Sequence, residues 1–221
     1  MASTESSGSI DFPPWKFTIV IRLINQLNKE KKMTENDDPV FTTLFATETT
    51  SATIYVQIII DTDALIAAYP KPSQDYKNPT GIGHNMGFMV TATEFVNSGQ
   101  GTGDLSFKAE VGDTIRWTSS SISNNFDSAV FVYQMNKFSG TQVTDTPELK
   151  TFTKTSMVPQ TAIPPTVTQA PQNYWFMTCE VLNIGTEGYN VCFGLYNRVR
   201  GGTGQTLYGY FYWDPTITVA V

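Results

Sequence analysis

Apolar and polar residues alternate from Thr53 onward, and this alternation is the main structural signal in the chain. Ile54, Val56, Ile58 and Ile60 alternate with polar or amphipathic positions. The same period of two recurs at Leu105, Phe107 and Ala109. After a turn at 111–113 it continues at Ile115 and Trp117. Successive side chains of a strand point to opposite faces, so each run predicts a strand with one buried face.

Further strands are predicted at 86–93, 128–135, 174–182, 189–196, 206–213 and 216–220. Helical periodicity is scarce apart from a short helical turn at 64–69. Residues 139–173 are rich in proline and threonine, so we expect a long connection there, mostly without regular structure. Short strands joined by Gly, Pro and Asn turns predict an all-β protein, namely an antiparallel β-sandwich of jelly-roll or immunoglobulin-like type.

The C-terminal segment 206–221, TLYGYFYWDPTITVAV, is dense in aromatic residues. Alternation predicts that Leu207, Phe211 and Trp213 share one face of a strand and that the intervening tyrosines share the other. Pro215 ends the run, because proline has no N–H to give to a sheet ladder. So much aromatic area predicts a strand inside a sheet rather than a frayed end.

Residues 1–52 differ from the rest of the chain and are predicted to be a partly disordered N-terminal extension to a domain at 53–221. Within it we favour a helix at 15–28, although residues 17–23 also alternate as a strand would. Met33 opens an acidic stretch and is an alternative start. The apolar run at 17–24 lacks a small-residue cleavage site and is too short to span a bilayer, so we expect a cytoplasmic protein.

Composition agrees with a folded β protein and excludes some partners. Hydrophobic residues make up 40% of the chain, aromatic residues 13% and charged residues 15%, which is unlike a disordered segment. The net charge is −6. We therefore expect no nucleic acid and no membrane partner, because phosphate backbones and anionic lipid surfaces attract basic proteins.

Two cysteines do not make a disulfide framework. Cys179 and Cys192 flank a predicted turn at 185–188. On adjacent strands they would form a disulfide only in a suitable register. The other interpretation is two buried free thiols.

The single histidine, His84, limits the catalytic chemistry that this chain can perform. A Ser-His-Asp or Cys-His site would have to use it. It lies in the turn-rich sequence GIGHN, where a structural role is the alternative, and the spacing of the cysteines does not support a zinc site. We therefore expect no enzyme, no metal and no cofactor.

The glycine-rich sequence GQGTGD at 99–104 imitates a phosphate-binding loop. It leads into a predicted strand, however, and so lacks the helix N-terminus that such loops use to hold phosphate. We predict a flexible hairpin turn.

Asp61 and Asp63 follow the first apolar strand. Three interpretations remain open for them: oxygen ligands for Ca²⁺, a contact to a polar ligand, or capping of the short helical turn that follows. Paired carboxylates also cleave glycosides when suitably spaced, so a glycoside hydrolase is a third and weaker hypothesis for the function.

A sugar site is the second hypothesis for the function. In the sequence SISNNFD at 121–127, the side chains of Ser123, Asn124, Asn125 and Asp127 would hydrogen-bond sugar hydroxyls. The alternative is that they stabilise a turn through their own backbone. The candidate ligand-binding residues outside this loop are Asp61, Asp63, His84, Asn85, Trp117, Trp213 and Asp214. Of these, the two tryptophans would stack on the sugar.

Four stretches in order resemble the AidA/PixA inclusion body protein family. They are IIIDTDALIAAYPKPSQDYKNPTGIGHN at 58–85, SGQGTGDLSFKAEVGDTIRW at 98–117, SISNNFDSAVFVYQM at 121–135 and YGYFYWDPTITV at 208–219. The resemblance covers 53–221, is weak over 136–173 and leaves out residues 1–52.

The resemblance implies a cytoplasmic bacterial protein of inclusion bodies, without catalytic activity, from host-interacting bacteria. Inclusion-forming members are described as methionine-rich, whereas this chain has 7 methionines. From the resemblance, the first hypothesis is a nonenzymatic β-sandwich that self-associates as a dimer, with a role in inclusion formation or host interaction. Aromatic-rich strands would supply a flat apolar interface for it.

Overall fold

The structure, a computed structural model, describes residues 51–161, 164, 166–198 and 201–219. The predicted helix at 15–28, Met33 and nearly all of the predicted extension lie outside these residues. No helix in the described ranges is long and apolar enough to cross a membrane.

Twelve strands and one short α-helix are described. The α-helix is α1 (Thr62–Ala68), and single 3₁₀ turns lie at His84–Met86 and Thr93–Phe95. The strands are β1 (Thr53–Ile60), β2 (Thr80–Gly81), β3 (Gly87–Val90), β4 (Val96–Ser98), β5 (Ser106–Ala109), β6 (Thr114–Ser121), β7 (Ala129–Gly140), β8 (Glu148–Pro159), β9 (Val167–Glu180), β10 (Gly185–Arg198), β11 (Gln205–Trp213) and β12 (Thr216–Val219).

These strands form two sheets packed as a sandwich, which confirms the predicted all-β class. The first sheet has the order β3-β1-β6-β9-β8. The second has the order β2-β11-β10-β12-β5-β4. β11 and β12 pair with successive parts of one side of β10, and β7 pairs with its opposite side. The short helix predicted at 64–69 corresponds to α1.

The sheets are mixed, whereas the sequence analysis predicted antiparallel pairing throughout. β1 runs parallel to β6, β11 to β2, and β12 to β5. Between β1 and β6 the chain crosses to the second sheet and returns twice, and such crossovers bring two strands side by side in the same direction. Alternation within a strand carries no information on this pairing.

The core lies between the sheets and is made by the alternation that the sequence shows. Ile54, Val56, Ile58 and Ile60 of β1 are all fully buried. Trp117 of β6 meets the second layer at Tyr189 of β10, with ring centroids 5.9 Å apart. Trp117 therefore joins the two layers at the centre of the core.

β11 confirms most of the predicted tail but not the position of Leu207. Phe211 and Trp213 are buried, as predicted. A bulge opposite Leu195 and Tyr196 shifts the register of β11, so Tyr208 rather than Leu207 packs against the core. A bulge adds one residue to one strand, which reverses the faces of the residues beyond it.

Cys179 and Cys192 are free and buried, which agrees with the interpretation as thiols. They lie in different sheets, on β9 and β10. The turn predicted at 185–188 was wrong, because these residues begin β10. Burial raises the pKa of both thiols, that of Cys192 to about 11.

The prediction of a long irregular connection at 139–173 was also wrong. β8 and β9 pair from Glu148 opposite Thr178 to Pro159 opposite Val167. β9 pairs with β6 only at 177–180, so the rest of this β-hairpin, which we call the β8–β9 arm, extends beyond the sandwich. Its side chains are mostly exposed, and without a buried face the alternation that reveals a strand is absent.

Candidate functional site

His84 is held at the meeting point of three segments. It opens the 3₁₀ turn before β3, and the backbone of Gly103 lies so close that a Cβ there would overlap the His84 carbonyl oxygen. The indole N–H of Trp213 donates to the carbonyl oxygen of Gly103 at 3.2 Å. The buried end of β11 and the glycine-rich loop therefore fix the position of the histidine.

Two carboxylates bracket the imidazole ring. Nδ1 of His84 bonds to Asp104 Oδ1, and Nε2 lies 2.9 Å from Asp214 Oδ1. Partial burial lowers the pKa of His84, but the hydrogen bonds and negative charges of Asp104 and Asp214 outweigh it, so the net shift is upward. The doubly protonated ring donates to both carboxylates, and this explains the direction of the shift.

This arrangement differs from a catalytic histidine. A general base needs one ring nitrogen free to accept a proton from a nucleophile, whereas both nitrogens of His84 face a carboxylate. In the parts of the chain that the structure describes, no three His, Cys, Asp or Glu side chains are grouped to hold a metal ion. We call His84, Asp104 and Asp214 the His84 bracket. It is suited to fixing loops in a manner that depends on pH.

The glycine-rich loop uses its own polar groups. Thr102 N–H donates to Gly99, while Met89 of β3 exchanges backbone hydrogen bonds with Gly101 and Thr102. Gly99 has a φ of 71°, which favours glycine. These amides are engaged by the protein and do not form a phosphate cradle.

Asp61 caps α1 and so has the structural role that was one of its three interpretations. Its Oδ1 accepts the N–H of Ala64 at 3.0 Å. Asp63 is exposed in the first turn of the helix. The parallel pairing of β1 and β6 puts Asp61 at the same sheet end as the loop at 121–128, since Ile60 is opposite Ser121.

The loop at 121–128 is tied down by Asn125. Its Oδ1 accepts the N–H groups of Ser121 and Val130, and its own N–H donates to Ser121 Oγ. Asn124 and Asn125 both have positive φ values, which asparagine tolerates. From β11, the Gln205 amide donates to three carbonyls of this loop.

The loop leaves some of its predicted ligand residues free and uses others internally. The Ser123 hydroxyl accepts the Asp127 N–H, while the Asp127 carboxylate pairs with Arg198 at 3.1 Å. Asn124 is exposed. Phe126, which the sequence analysis did not select, is 79% exposed.

The predicted tryptophan platforms are corrected by the structure. Trp117 and Trp213 are each 1% exposed, so neither offers a ring face to a sugar. Trp213 and Asp214 instead position the His84 bracket. Asn85 lies beside His84 in a shallow depression that is also lined by Phe88 and Asp104. The predicted residues therefore separate into the bracket, the loop at 121–128, the helix cap and the core.

A third feature lies on the solvent face of the first sheet. Arg116 of β6 stands opposite Tyr55 of β1, and its Nη1 donates to the Tyr55 hydroxyl at 3.0 Å. Its guanidinium carbon lies 5.7 Å from the ring centroid of Tyr55, 5.1 Å from that of Phe152 and 6.0 Å from that of Phe176. We call these four side chains the Arg116 cluster.

The Arg116 cluster has an unusual charge environment. Within the described ranges, no Asp or Glu lies within ion-pair distance of Arg116, and its Nε is buried without a hydrogen-bond partner. The positive charge is held over aromatic faces instead. Tyr55 is 51% exposed, so the cluster is open to solvent on one side.

Sequence reasoning found His84 and Asp214 but missed Asp104 and the Arg116 cluster. Asp104 follows the glycine-rich loop directly, and its position in the sequence gave no sign of its approach to a residue 20 positions earlier. The Arg116 cluster draws on four strands that are distant in sequence. Outward aromatic residues on mostly polar strand faces were the available signal, at Tyr55 and Phe152.

Comparison with known proteins agrees with this architecture. The crystal structure of an inclusion body protein (PixA) from Burkholderia cenocepacia J2315 is similar, with a TM-score of 0.69 and 26% sequence identity, over 80% of this chain and 100% of that chain. The search of curated proteins found no match. The sequence model of the PixA family, described as inclusion body protein, matches residues 52–219. The chain therefore belongs to the PixA inclusion body protein family.

Proposed function

We propose that this protein acts by self-association, forming ordered inclusions in the bacterial cytoplasm without catalysing a reaction. The observation that carries the proposal is the Arg116 cluster on the solvent face of the first sheet. Aromatic residues and arginine are the side chains enriched at the centres of protein interfaces. A second copy would shield the Tyr55 ring from water and supply acceptors to the guanidinium.

The charge of the whole chain supports the same proposal. The protein carries −6 overall, while Arg116 is a cation without a carboxylate partner in the described ranges. An acidic surface of a neighbouring copy therefore complements the cluster. The bracketed His84, with both ring nitrogens engaged, supports a structural rather than a catalytic role.

The test is the mass of the full chain as a function of concentration, measured by light scattering. We expect a rise in average mass for the native protein, and inclusions visible by electron microscopy in expressing cells. The double variant Tyr55→Ser/Arg116→Gln should lower the mass of the largest assemblies. Phe126→Ser is the matched control, because it removes a more exposed aromatic ring from another part of the surface. A native chain that stays monomeric at high concentration would overturn the proposal.

A second candidate function is glycan binding by the loop at 121–128, and it would serve host interaction. It is favoured by Phe126, whose exposed ring is carried by a loop that Asn125 and Gln205 hold in place. Asn124 and Asp127 lie close to Phe126 in the sequence and supply an amide and a carboxylate, the latter paired with Arg198. A fixed aromatic ring beside such groups suits the C–H face and hydroxyls of a sugar.

The glycan proposal is tested on an array that covers bacterial, insect and fungal sugars, with calcium and with EDTA. We expect selective binding that Phe126→Ser abolishes and Tyr55→Ser leaves unchanged. Because Asp61 caps a helix, we expect EDTA to have no effect. A blank array would remove this candidate, and binding that survives Phe126→Ser would move the site elsewhere.

A further inference from the structure

We propose that β8 pairs antiparallel with β8 of a second copy, about a twofold axis at Thr151, to join two first sheets into one. This inference rests on the proposed self-association and names the contact that begins it. The free edge of β8, the charges along it and the position of the Arg116 cluster support this pairing.

β8 is an edge strand of unusual length. It is the last strand of its sheet among the described residues, and it runs from Glu148 to Pro159 with most side chains exposed. One side of its backbone is paired with β9. The other side presents N–H and C=O groups without a strand partner in the described ranges, and such an edge is a template for another strand.

The β8–β9 arm also lacks a buried apolar face, which would stabilise a two-stranded ribbon. Met157 is 60% exposed and Val167 53%. A two-stranded ribbon with both faces in water is only marginally stable, and independent stability needs three or more strands with an apolar face. With Thr151 on the axis, a second β8 pairs over 148–154, so the part of the arm nearest the sandwich joins a four-stranded sheet.

The charges on β8 select the register. With Thr151 on the axis, Glu148 lies opposite Lys154 of the second copy, and twofold symmetry makes this pair twice. Lys150 then lies opposite Phe152 of the second copy, a cation beside an aromatic ring. No like charges face each other from Glu148 to Lys154.

Registers with the axis further along β8 lose this complementarity. An axis at Phe152 puts Lys150 opposite Lys154 of the second copy, and like charges directly opposite each other are destabilising. An axis at Thr153 puts Glu148 opposite Val158, so the carboxylate loses its cation. The axis at Thr151 joins opposite charges without either defect.

The same geometry extends the proposed function. A twofold axis perpendicular to the sheet keeps corresponding faces on the same side. Phe152 of β8 belongs to the Arg116 cluster and stands beside Tyr174 of β9. Pairing of the two β8 strands therefore places both Arg116 clusters on one continuous surface, which gives a larger face for the next layer of an assembly.

Oxidative cross-linking tests the register. In the full chain, Thr151→Cys should give a disulfide-linked dimer under mild oxidation, because the two copies of residue 151 face each other. Thr155→Cys is the matched control, since it changes the same residue type on the same strand face. Its two copies would lie about 27 Å apart, at about 3.4 Å per residue. The native chain should not cross-link, because Cys179 and Cys192 are buried.

A charge exchange gives an independent test. Lys154→Glu should raise the dimer dissociation constant about tenfold, because two attractions become repulsions. Adding Glu148→Lys to the same chain should restore the native value. Lys108→Glu, an exposed lysine of the second sheet, makes the same charge change and should have little effect.

The outcomes separate this inference from the proposed function. Cross-linking at 151 but not at 155, with rescue by the double exchange, supports the β8 pairing. Association of the native chain with equal cross-linking at both positions, with cross-linking at neither, or without rescue would overturn the pairing and leave self-association in place. A native chain that remains monomeric would overturn both.

Discussion

Each polar side chain of the His84 bracket takes its role from its immediate neighbours. His84 is 37% exposed, and Asp104 and Asp214 are 68% and 46% exposed. Solvent therefore screens their attraction, and the bracket contributes only modestly to stability. The bracket instead fixes the relative positions of three segments, because it connects the start of β3, the glycine-rich loop and the end of β11.

The pKa of His84 should report the bracket directly. Because the chain has one histidine, an NMR titration shows a single imidazole. We expect a midpoint above the ordinary 6.5, and we expect Asp104→Asn to lower it. Asp63→Asn, which changes an exposed carboxylate on α1, should leave the midpoint in place. A native midpoint at or below the ordinary value would contradict the bracket.

Stability should depend on pH through the same group. A histidine whose pKa is raised by folding stabilises the native state fully below its unfolded-state pKa, and this contribution is lost as pH rises through the folded-state pKa. The difference in unfolding free energy between the native chain and His84→Gln should therefore be larger at pH 6 than at pH 9. Urea unfolding at both values measures it, and an equal or reversed difference would count against the assignment.

Gly103 should tolerate no side chain. A Cβ at this position would overlap the backbone oxygen of His84, which cannot move aside as a flexible side chain can. We expect Gly103→Ala to lower the free energy of unfolding by about 1–3 kcal/mol. Gly204→Ala is the control, because nothing lies within 4 Å of the added carbon there. Equal stability of the two variants would show that the loop approaches His84 less closely.

At the scale of elements, β10 and β8 differ most in strand pairing and in burial. β10 pairs with β7 along one side and with β11 and β12 along the other, and most of its side chains are buried. Among the described residues, β8 pairs with β9 alone, and most of its side chains are exposed. The difference reflects where each strand lies in its sheet and not its length.

Hydrogen exchange should rank these two strands. Amides in the centre of β10 should exchange only through global unfolding, whereas amides at the far end of the β8–β9 arm should exchange through local opening. Mass spectrometry of exchanged peptides measures both at low protein concentration. Protection of β8 should then rise as concentration increases if β8 pairs between copies. Equal protection of both strands in the monomer would contradict this ranking.

At the scale of the molecule, the two sheets share one core. Trp117 reaches Phe107 and Tyr189 of the second sheet, with ring centroids 6.5 Å and 5.9 Å away. Neither sheet keeps a buried face if the other is removed. The sandwich is therefore expected to unfold as one unit.

The substitution Trp117→Ala tests this cooperativity. We expect it to lower the free energy of unfolding by about 3–5 kcal/mol, while Phe126→Ala, at a 79% exposed position, should change it by less than about 0.5 kcal/mol. Unfolding should be followed by circular dichroism and by tryptophan fluorescence. Two separate transitions in the native chain would show that the sheets unfold independently.

The sequence by itself determined the fold class and most of the core. Most residues predicted from alternation to face inward are buried, among them Ile54, Val56, Ile58, Ile60, Phe107, Ile115, Trp117, Phe211 and Trp213. Alternation records whether a strand has a buried face, and these strands do. The same reasoning failed for the β8–β9 arm, where both faces meet water and proline residues suggested a loop. Pro171 is tolerated there because, in the described ranges, β9 has no partner on its second side at that point.

Only the tertiary structure decided which polar residues meet. Asp104 and Asp214 come from distant segments to bracket His84, while the Arg116 cluster draws on β1, β6, β8 and β9. Sequence periodicity is local, whereas these groupings depend on strand order, parallel pairing and a bulge. For the same reason Trp117 and Trp213, aromatic residues suited by type to sugar binding, turned out to be core. A residue's type limits the chemistry that it can perform, and the packing of the sheets determines whether it reaches solvent.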